Sequence, residues 1–148
     1  MIALIQRVSS ASVDINEKEV AAIGPGLMVL LGIQVDDSEK EARKLALKTV
    51  SLRVFDDDKG DMNLDVKSVG GGVLVVPNFT LAADTSRGNR PGFSTAMPPK
   101  DAEPLFELFA RETRELTKDV QTGVFGADMQ VSLVNDGPIT ISLETKNT

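Results

Sequence analysis

An α+β domain dominated by antiparallel strands, with helices packed on one side, is what this sequence predicts. Two observations carry that expectation. Several segments alternate apolar and polar residues with the period of a half-buried strand, and two others place apolar residues at helical spacing. No repeat, low-complexity tract or linker interrupts them, so residues 1–148 are expected to form a single domain.

In chain order, Val13 and Ile15 alternate with Asp14 and Asn16, a polar break follows at Asn16-Glu17-Lys18, and Val20-Ala21-Ala22-Ile23 resumes the pattern. Gly24-Pro25-Gly26 is a turn by composition. The run Leu27 to Ile33 after it, apolar and bounded by glycine, predicts a strand buried on both faces. Ser38 with Glu41 three residues on is a capping-box signature, and it opens a helix with Ala42, Leu45, Ala46 and Val50 on one stripe. Arg53-Val54-Phe55 reads as a strand and Val73-Leu74-Val75-Val76 as an interior one. Asp101 is expected to cap a second helix, with Pro104 in its first turn and Leu105, Leu108, Phe109 and Leu116 at helical spacing. Met129, Val131 and Leu133, then Ile139, Ile141 and Leu143, alternate with polar residues on either side of Asn135-Asp136-Gly137-Pro138.

Composition removes most catalytic classes. The chain has no histidine, cysteine, tyrosine or tryptophan. That excludes Ser-His-Asp and Cys-His machinery, thiolate or imidazole zinc sites, and histidine as a general base. Hydroxyls, backbone amides, carboxylates, lysines or groups on the substrate must do any hydrolytic work. The net charge of -6 argues against coating nucleic acid through overall positive charge, but leaves room for a local basic patch at a small RNA end. No run approaches a membrane span, Met1 to Arg7 does not read as a signal peptide, and a chain without cysteine defaults to the cytoplasm.

Four segments are candidates for chemistry. Asp56, Asp57, Asp58 and Asp61 lack the alternating ligands and distal glutamate of a calcium loop, so a solvated acidic turn is expected, with no metal. Gly70-Gly71-Gly72 precedes a strand and lacks the P-loop lysine, and a flexible loop is expected there. Asn78-Phe79-Thr80 follows Pro77, which cannot donate to a sheet ladder, so pairing should stop there. The backbone N–H groups beyond it become candidates to face a pocket and hold an oxyanion; an ordinary strand end with Phe79 in the core is the plainer alternative. The stretch from Ala82 to Phe93 carries Arg87 and Arg90, either phosphate contacts or part of a solvated loop. Asn135-Asp136-Gly137-Pro138 reads first as a hairpin turn, with Pro138 removing a donor where the return strand begins.

Taken in order, Ile5-Gln6-Arg7-Val8, Gly71 to Val76, Phe79-Thr80-Leu81-Ala82-Ala83-Asp84-Thr85, Arg90-Pro91, Gln121-Thr122-Gly123 with Phe125, Ala127-Asp128-Met129 and Val134 to Thr140 resemble the D-aminoacyl-tRNA deacylases along the whole chain. The resemblance implies a barrel-like sheet and a homodimer that hydrolyses the ester of D-aminoacyl-tRNA, and of mischarged glycyl-tRNA, at the 3′ acceptor end. It implies neither cofactor nor metal, and no membrane or DNA partner. It places Asn78, Phe79 and Thr80 in the catalytic site, with Thr80 as a positioning residue or a nucleophile. It makes Gly137-Pro138 a cis pair that each subunit inserts into its partner's site, excluding an L side chain by position. Arg7 and Asn135 would support that turn, and Phe125 and Met129 would lie near the terminal adenosine. One departure stands out: the family's Ser-Gln-Phe-Thr is Pro77-Asn78-Phe79-Thr80 here. A deacylase of relaxed chirality and an RNA-end binding protein without turnover are the alternatives it raises.

Overall fold

The computed structural model describes residues 1–145. β1 (Ile2–Ile15), β2 (Lys18–Ile23) and β3 (Gly26–Gly32) precede α1 (Glu39–Ser51). A small hairpin of β4 (Phe55–Asp56) and β5 (Met62–Leu64) leads to β6 (Gly72–Pro77), a 3-10 turn (Phe79–Ala82), α2 (Pro99–Leu116), β7 (Val120–Thr122) and β8 (Gln130–Glu144).

β1 organises the sheet. One edge pairs antiparallel with β3 over its first half and with β2 over its second, while β8 runs antiparallel along the other edge. β3, β6 and β7 continue the sheet in parallel. The result is a mixed, barrel-like sheet, antiparallel around β1. The parallel half follows from connections through helices, which a two-residue turn cannot replace. Asn16 and Glu17 make the β1–β2 turn with φ of 50° and 66°, as a tight hairpin of that hand requires.

The sheet buries both faces of its middle strands. Ala3, Ile5, Leu27, Val29, Leu31, Val73 and Val75 face α1 and α2. The alternate residues Val13, Met28, Leu74 and Val76 turn to the other side, where β2 supplies Ala21 and Ile23, and Leu133 and Met129 pack from the far end of the chain. Two helices therefore cover one face, and the sheet curls over its own second face.

The capping box forms: the Glu41 carboxylate accepts a hydrogen bond from the Ser38 backbone N–H at 2.8 Å, and Ala42, Leu45, Ala46 and Val50 are buried. Hydrogen bonding to Ser38 holds that carboxyl below its ordinary value, against the opposing effect of burial. α2 departs from expectation. It starts at Pro99 with Pro98 in the capping position, so Asp101 lies in its first turn without capping and Pro104 sits inside the helix. A proline at the first helical position has its φ preset and needs no hydrogen-bond partner, which moves the start forward. Of Arg53-Val54-Phe55, only Phe55 is in a strand, and that strand is outside the main sheet.

Two further expectations fail. Gly71 and Gly72 are buried, not a flexible loop. A side chain at Gly26 would sit 1.9 Å from the Gly72 carbonyl oxygen, so the glycines let β3 and β6 begin their pairing backbone against backbone. And no hairpin forms at Asp136-Gly137. The two alternating segments are halves of the single strand β8, both paired with β1.

Candidate active site

A cleft of about 750 Å³ opens between the ends of β3 and β6, the start of α2 and the segment before β8. Its lining includes Leu31, Pro77, Asn78, Phe79, Phe93, Phe125 and Met129, with no titratable side chain. Phe125 leans on Phe106 of α2 at 5.9 Å between ring centroids, so its ring is both core and wall.

At the cleft's edge β6 stops at Pro77, as expected, with one ladder bond beyond it. Asn78 still donates its backbone N–H to the Leu31 carbonyl at 2.8 Å, extending the ladder past Pro77 and leaving that amide unable to face the pocket. The chain then tightens into the 3-10 turn, whose hydrogen bonds begin with Leu81 N–H to the Asn78 carbonyl at 3.3 Å. The first amides of any helical turn lack an internal acceptor. Here those are Phe79 and Thr80, and neither N–H has a partner among the described residues. The Phe79 ring is not core. It is 59% exposed and meets the edge of Phe93 at 5.1 Å. The Thr80 hydroxyl donates to the Asn78 side-chain oxygen. Its proton therefore rests on an amide, with no base to remove it.

Gly137-Pro138 lies at a second place, on β8. Between the pairs Gln6–Thr140 and Val8–Asn135, Arg7 alone on β1 faces residues 136–139 on β8, so the surplus is pushed out of the ladder as a bulge. Gly137 has φ of 128°, open only to glycine at low strain, and its bond to Pro138 is cis. The Asn135 side chain spans the bulge, its amide donating to the Thr140 hydroxyl at 2.8 Å and its oxygen accepting the Ile139 N–H at 3.3 Å.

Arg7 is no surface cation. With its side chain only 12% exposed, it donates to the Val54 carbonyl at 2.8 Å and to the Asp136 carbonyl at 3.3 Å. It also pairs with the Asp136 carboxylate at 3.3 Å. Arg7 and Asn135 thus brace the bulge from both sides. Gly137 and Pro138 are exposed and do not line the cleft of their own chain.

The structure therefore brings Asn78, Phe79, Phe125 and Met129 together, places Thr80 beside them, and sets Arg7, Asn135, Gly137 and Pro138 apart as a braced projection. Sequence reasoning overlooked Phe93 and Gly123. A side chain at Gly123 would meet the Met129 sulfur at 2.8 Å, so this glycine lets Met129 reach the cleft. Gly123 was visible only as part of a motif, and Phe93 only as the end of a polar loop.

The acidic segment is a self-capped turn. Asp57 accepts hydrogen bonds from the backbone N–H groups of Lys59 and Asp61 at 2.9 and 3.0 Å and from the Asn63 amide at 2.9 Å. These bonds, that from Asn63 foremost, hold its carboxyl below the ordinary range.

Free backbone amides at the rim of an apolar cleft lined by no titratable side chain are an arrangement that can hold a developing oxyanion. The family model described as D-Tyr-tRNA(Tyr) deacylase matches residues 4–144. The chain is 54% identical over 144 residues to the D-aminoacyl-tRNA deacylase of Klebsiella pneumoniae, covering 97% of this chain and 99% of that one. To the D-aminoacyl-tRNA deacylase of a Roseiflexus species it is 56% identical over 145 residues, covering 98% and 94%. Its fold matches a solved structure described as the c-Myc DNA Unwinding Element Binding Protein, with a TM-score of 0.95, 39% identity, and coverage of 99% and 100%. A structure described as that of a probable eukaryotic D-amino acid tRNA deacylase shares the fold at 15% identity, with a TM-score of 0.82 and coverage of 96% and 97%. The chain belongs to the D-Tyr-tRNA(Tyr) deacylase family. It is an ester hydrolase of translation proofreading.

Proposed function

We propose that the protein clears D-aminoacyl-tRNA and mischarged glycyl-tRNA as a homodimer, rejecting L-amino acids with a Gly-cisPro turn lent by the partner subunit. The observation that carries this reading is the pair of free amides at Phe79, which lines a cleft without titratable side chains, and at Thr80 next to it. Water attacks the ester carbonyl, and the carbonyl oxygen takes up negative charge within reach of those N–H groups. The bond to the terminal ribose oxygen breaks, and the water proton passes to that oxygen, assisted by the vicinal hydroxyl. Products are the free amino acid and tRNA. Thr80 holds Asn78 and positions the turn, and Phe125 and Met129 flank the adenosine.

Two features support action in trans. Gly137 and Pro138 are exposed, absent from their own cleft, and braced by Arg7 and Asn135 as a preformed projection. β8 is an edge strand with Val131 and Val134 exposed at 37% and 57%, the apolar edge a second copy would cover. A rigid projection rejects an L side chain by collision, leaves a D side chain or glycine alone, and needs no recognition of the D side chain.

Mixing tests it. A variant altered at the turn (Gly137→Ala with Pro138→Ala) is combined with one whose cleft is disabled by Phe79→Pro. If the turn works in trans, mixed dimers regain selective hydrolysis of D-tyrosyl-tRNA over L-tyrosyl-tRNA. Absence of any gain on mixing, with dimers verified by mass, refutes the trans arrangement. A wild-type protein that hydrolyses none of these esters refutes the catalytic reading and favours an RNA-end binder.

A further inference from the structure

The cleft carries no charge, yet the proposed substrate is a polyanion and the chain's net charge is -6. Its phosphates must be met outside the cleft. Near the segments that supply the lining, acids prevail: Asp36 and Asp37 follow Val35, Asp101 precedes Ala102, and Asp128 precedes Met129. Lys100 is a lone cation among them. The segment between the 3-10 turn and Phe93 differs, because it holds Arg87 and Arg90 within six residues of Phe93.

That segment is a closed loop. Asp84 and Gly92 exchange backbone hydrogen bonds, each at 2.8 Å, which clamps its base beside the 3-10 turn. Its one acid, Asp84, is turned to local use, accepting the Ser86 N–H at 3.0 Å. Arg87 and Arg90 are exposed and have no hydrogen bond or ion pair among the described residues, unlike Arg7 and Arg43. With its tip about four residues from the clamp, the loop spans at most about 14 Å. It is anchored at the site of hydrolysis and free only at its cationic tip.

We propose that the Asp84–Gly92 loop is a phosphate clamp in which Arg87 and Arg90 hold the backbone of the acceptor strand just upstream of the terminal adenosine. The proposal rests on the tRNA reading above. Arginine suits this role because its planar donors meet phosphate oxygens two at a time. The clamp sets binding of the long substrate, while the 3-10 turn sets the rate of ester cleavage.

The test compares D-tyrosyl-tRNA with a minimal D-tyrosyl ester of adenosine that has no upstream phosphate. In the double variant Arg87→Ala and Arg90→Ala, KM for D-tyrosyl-tRNA rises about ten-fold while kcat holds, and both constants for the minimal ester stay unchanged. The slope of log binding constant for uncharged tRNA against log salt falls by about one to two, roughly one per lost phosphate contact. Arg87→Lys with Arg90→Lys restores most of the affinity. Equal losses on both substrates overturn the proposal, because the loop then shapes the cleft itself. So does an unchanged KM for the tRNA ester. Should wild-type protein cleave neither ester, the catalytic reading fails, and the salt dependence of tRNA binding still decides the clamp.

Discussion

Replacing Phe79 by proline, with Phe79→Ala as the control, isolates a single N–H. Both substitutions remove the same ring. That ring is 59% exposed and its main partner is Phe93, so its loss costs an edge-to-face contact of about 0.5–1.5 kcal/mol and little core. Only proline also removes the amide. The backbone accepts it: position 79 opens the 3-10 turn, where proline is favoured, and Asn78 before it, at φ -147° and ψ 88°, is outside the helical region that a following proline disfavours. No internal hydrogen bond is lost, since the Phe79 N–H has no acceptor among the described residues. If that N–H meets the oxyanion, its removal costs roughly a hundred- to a thousand-fold in kcat, or about 2.7–4 kcal/mol. The assay is single-turnover deacylation of D-tyrosyl-tRNA, with Tm recorded for both variants. Equal rates for Phe79→Pro and Phe79→Ala, at equal Tm, would show that the amide takes no part in the reaction.

Three other outcomes follow from the geometry. Arg7→Ala releases the Gly137-Pro138 bulge; two or three contacts to a partly buried cation suggest about 2 kcal/mol, so the D-to-L ratio of kcat/KM falls roughly thirty-fold, whereas an unchanged ratio refutes the bracing role. Thr80→Val loses the hydroxyl but keeps the amide, and kcat drops about ten-fold or less; abolished turnover with no acyl-enzyme block in Thr80→Ser would instead mark a nucleophile. Glu41 has a depressed carboxyl pKa in the folded state, so the stability it contributes is present above the ordinary value of 4.5 and is lost as pH falls through the lowered folded value. Thermal melts of wild type and Glu41→Gln should therefore differ most near neutrality, by about 1 kcal/mol, and converge in acid; a constant gap would contradict the capping account.

Local signals in the chain proved reliable where one residue type answers to one local need. The Ser38–Glu41 box, the Asn16-Glu17 turn and the stripe through Leu45 and Ala46 are such cases. What escaped were properties of pairing between distant segments. The parallel union of β3, β6 and β7 leaves no mark on any one strand. Asp136-Gly137 has the composition of a hairpin turn, yet β1 is long enough to pair both flanking segments and leaves the turn as a bulge opposite Arg7. Val54 and Asp136, the partners that hold Arg7, lie far along the chain and cannot be read from the residues around it. From the sequence, the amides of Asn78, Phe79 and Thr80 were all candidates to face a pocket; the ladder bond from Asn78 to Leu31 removes the first and leaves Phe79 and Thr80.

The proposed function requires this chain to destroy D-aminoacyl esters on tRNA and to spare L-aminoacyl esters. Side-by-side hydrolysis of D-tyrosyl-tRNA and L-tyrosyl-tRNA by the wild-type protein, at equal concentrations and corrected for spontaneous decay, tests it most directly. The D ester is expected to disappear rapidly, with the L ester surviving at its spontaneous rate. Hydrolysis of both at similar rates, or of neither, would contradict it.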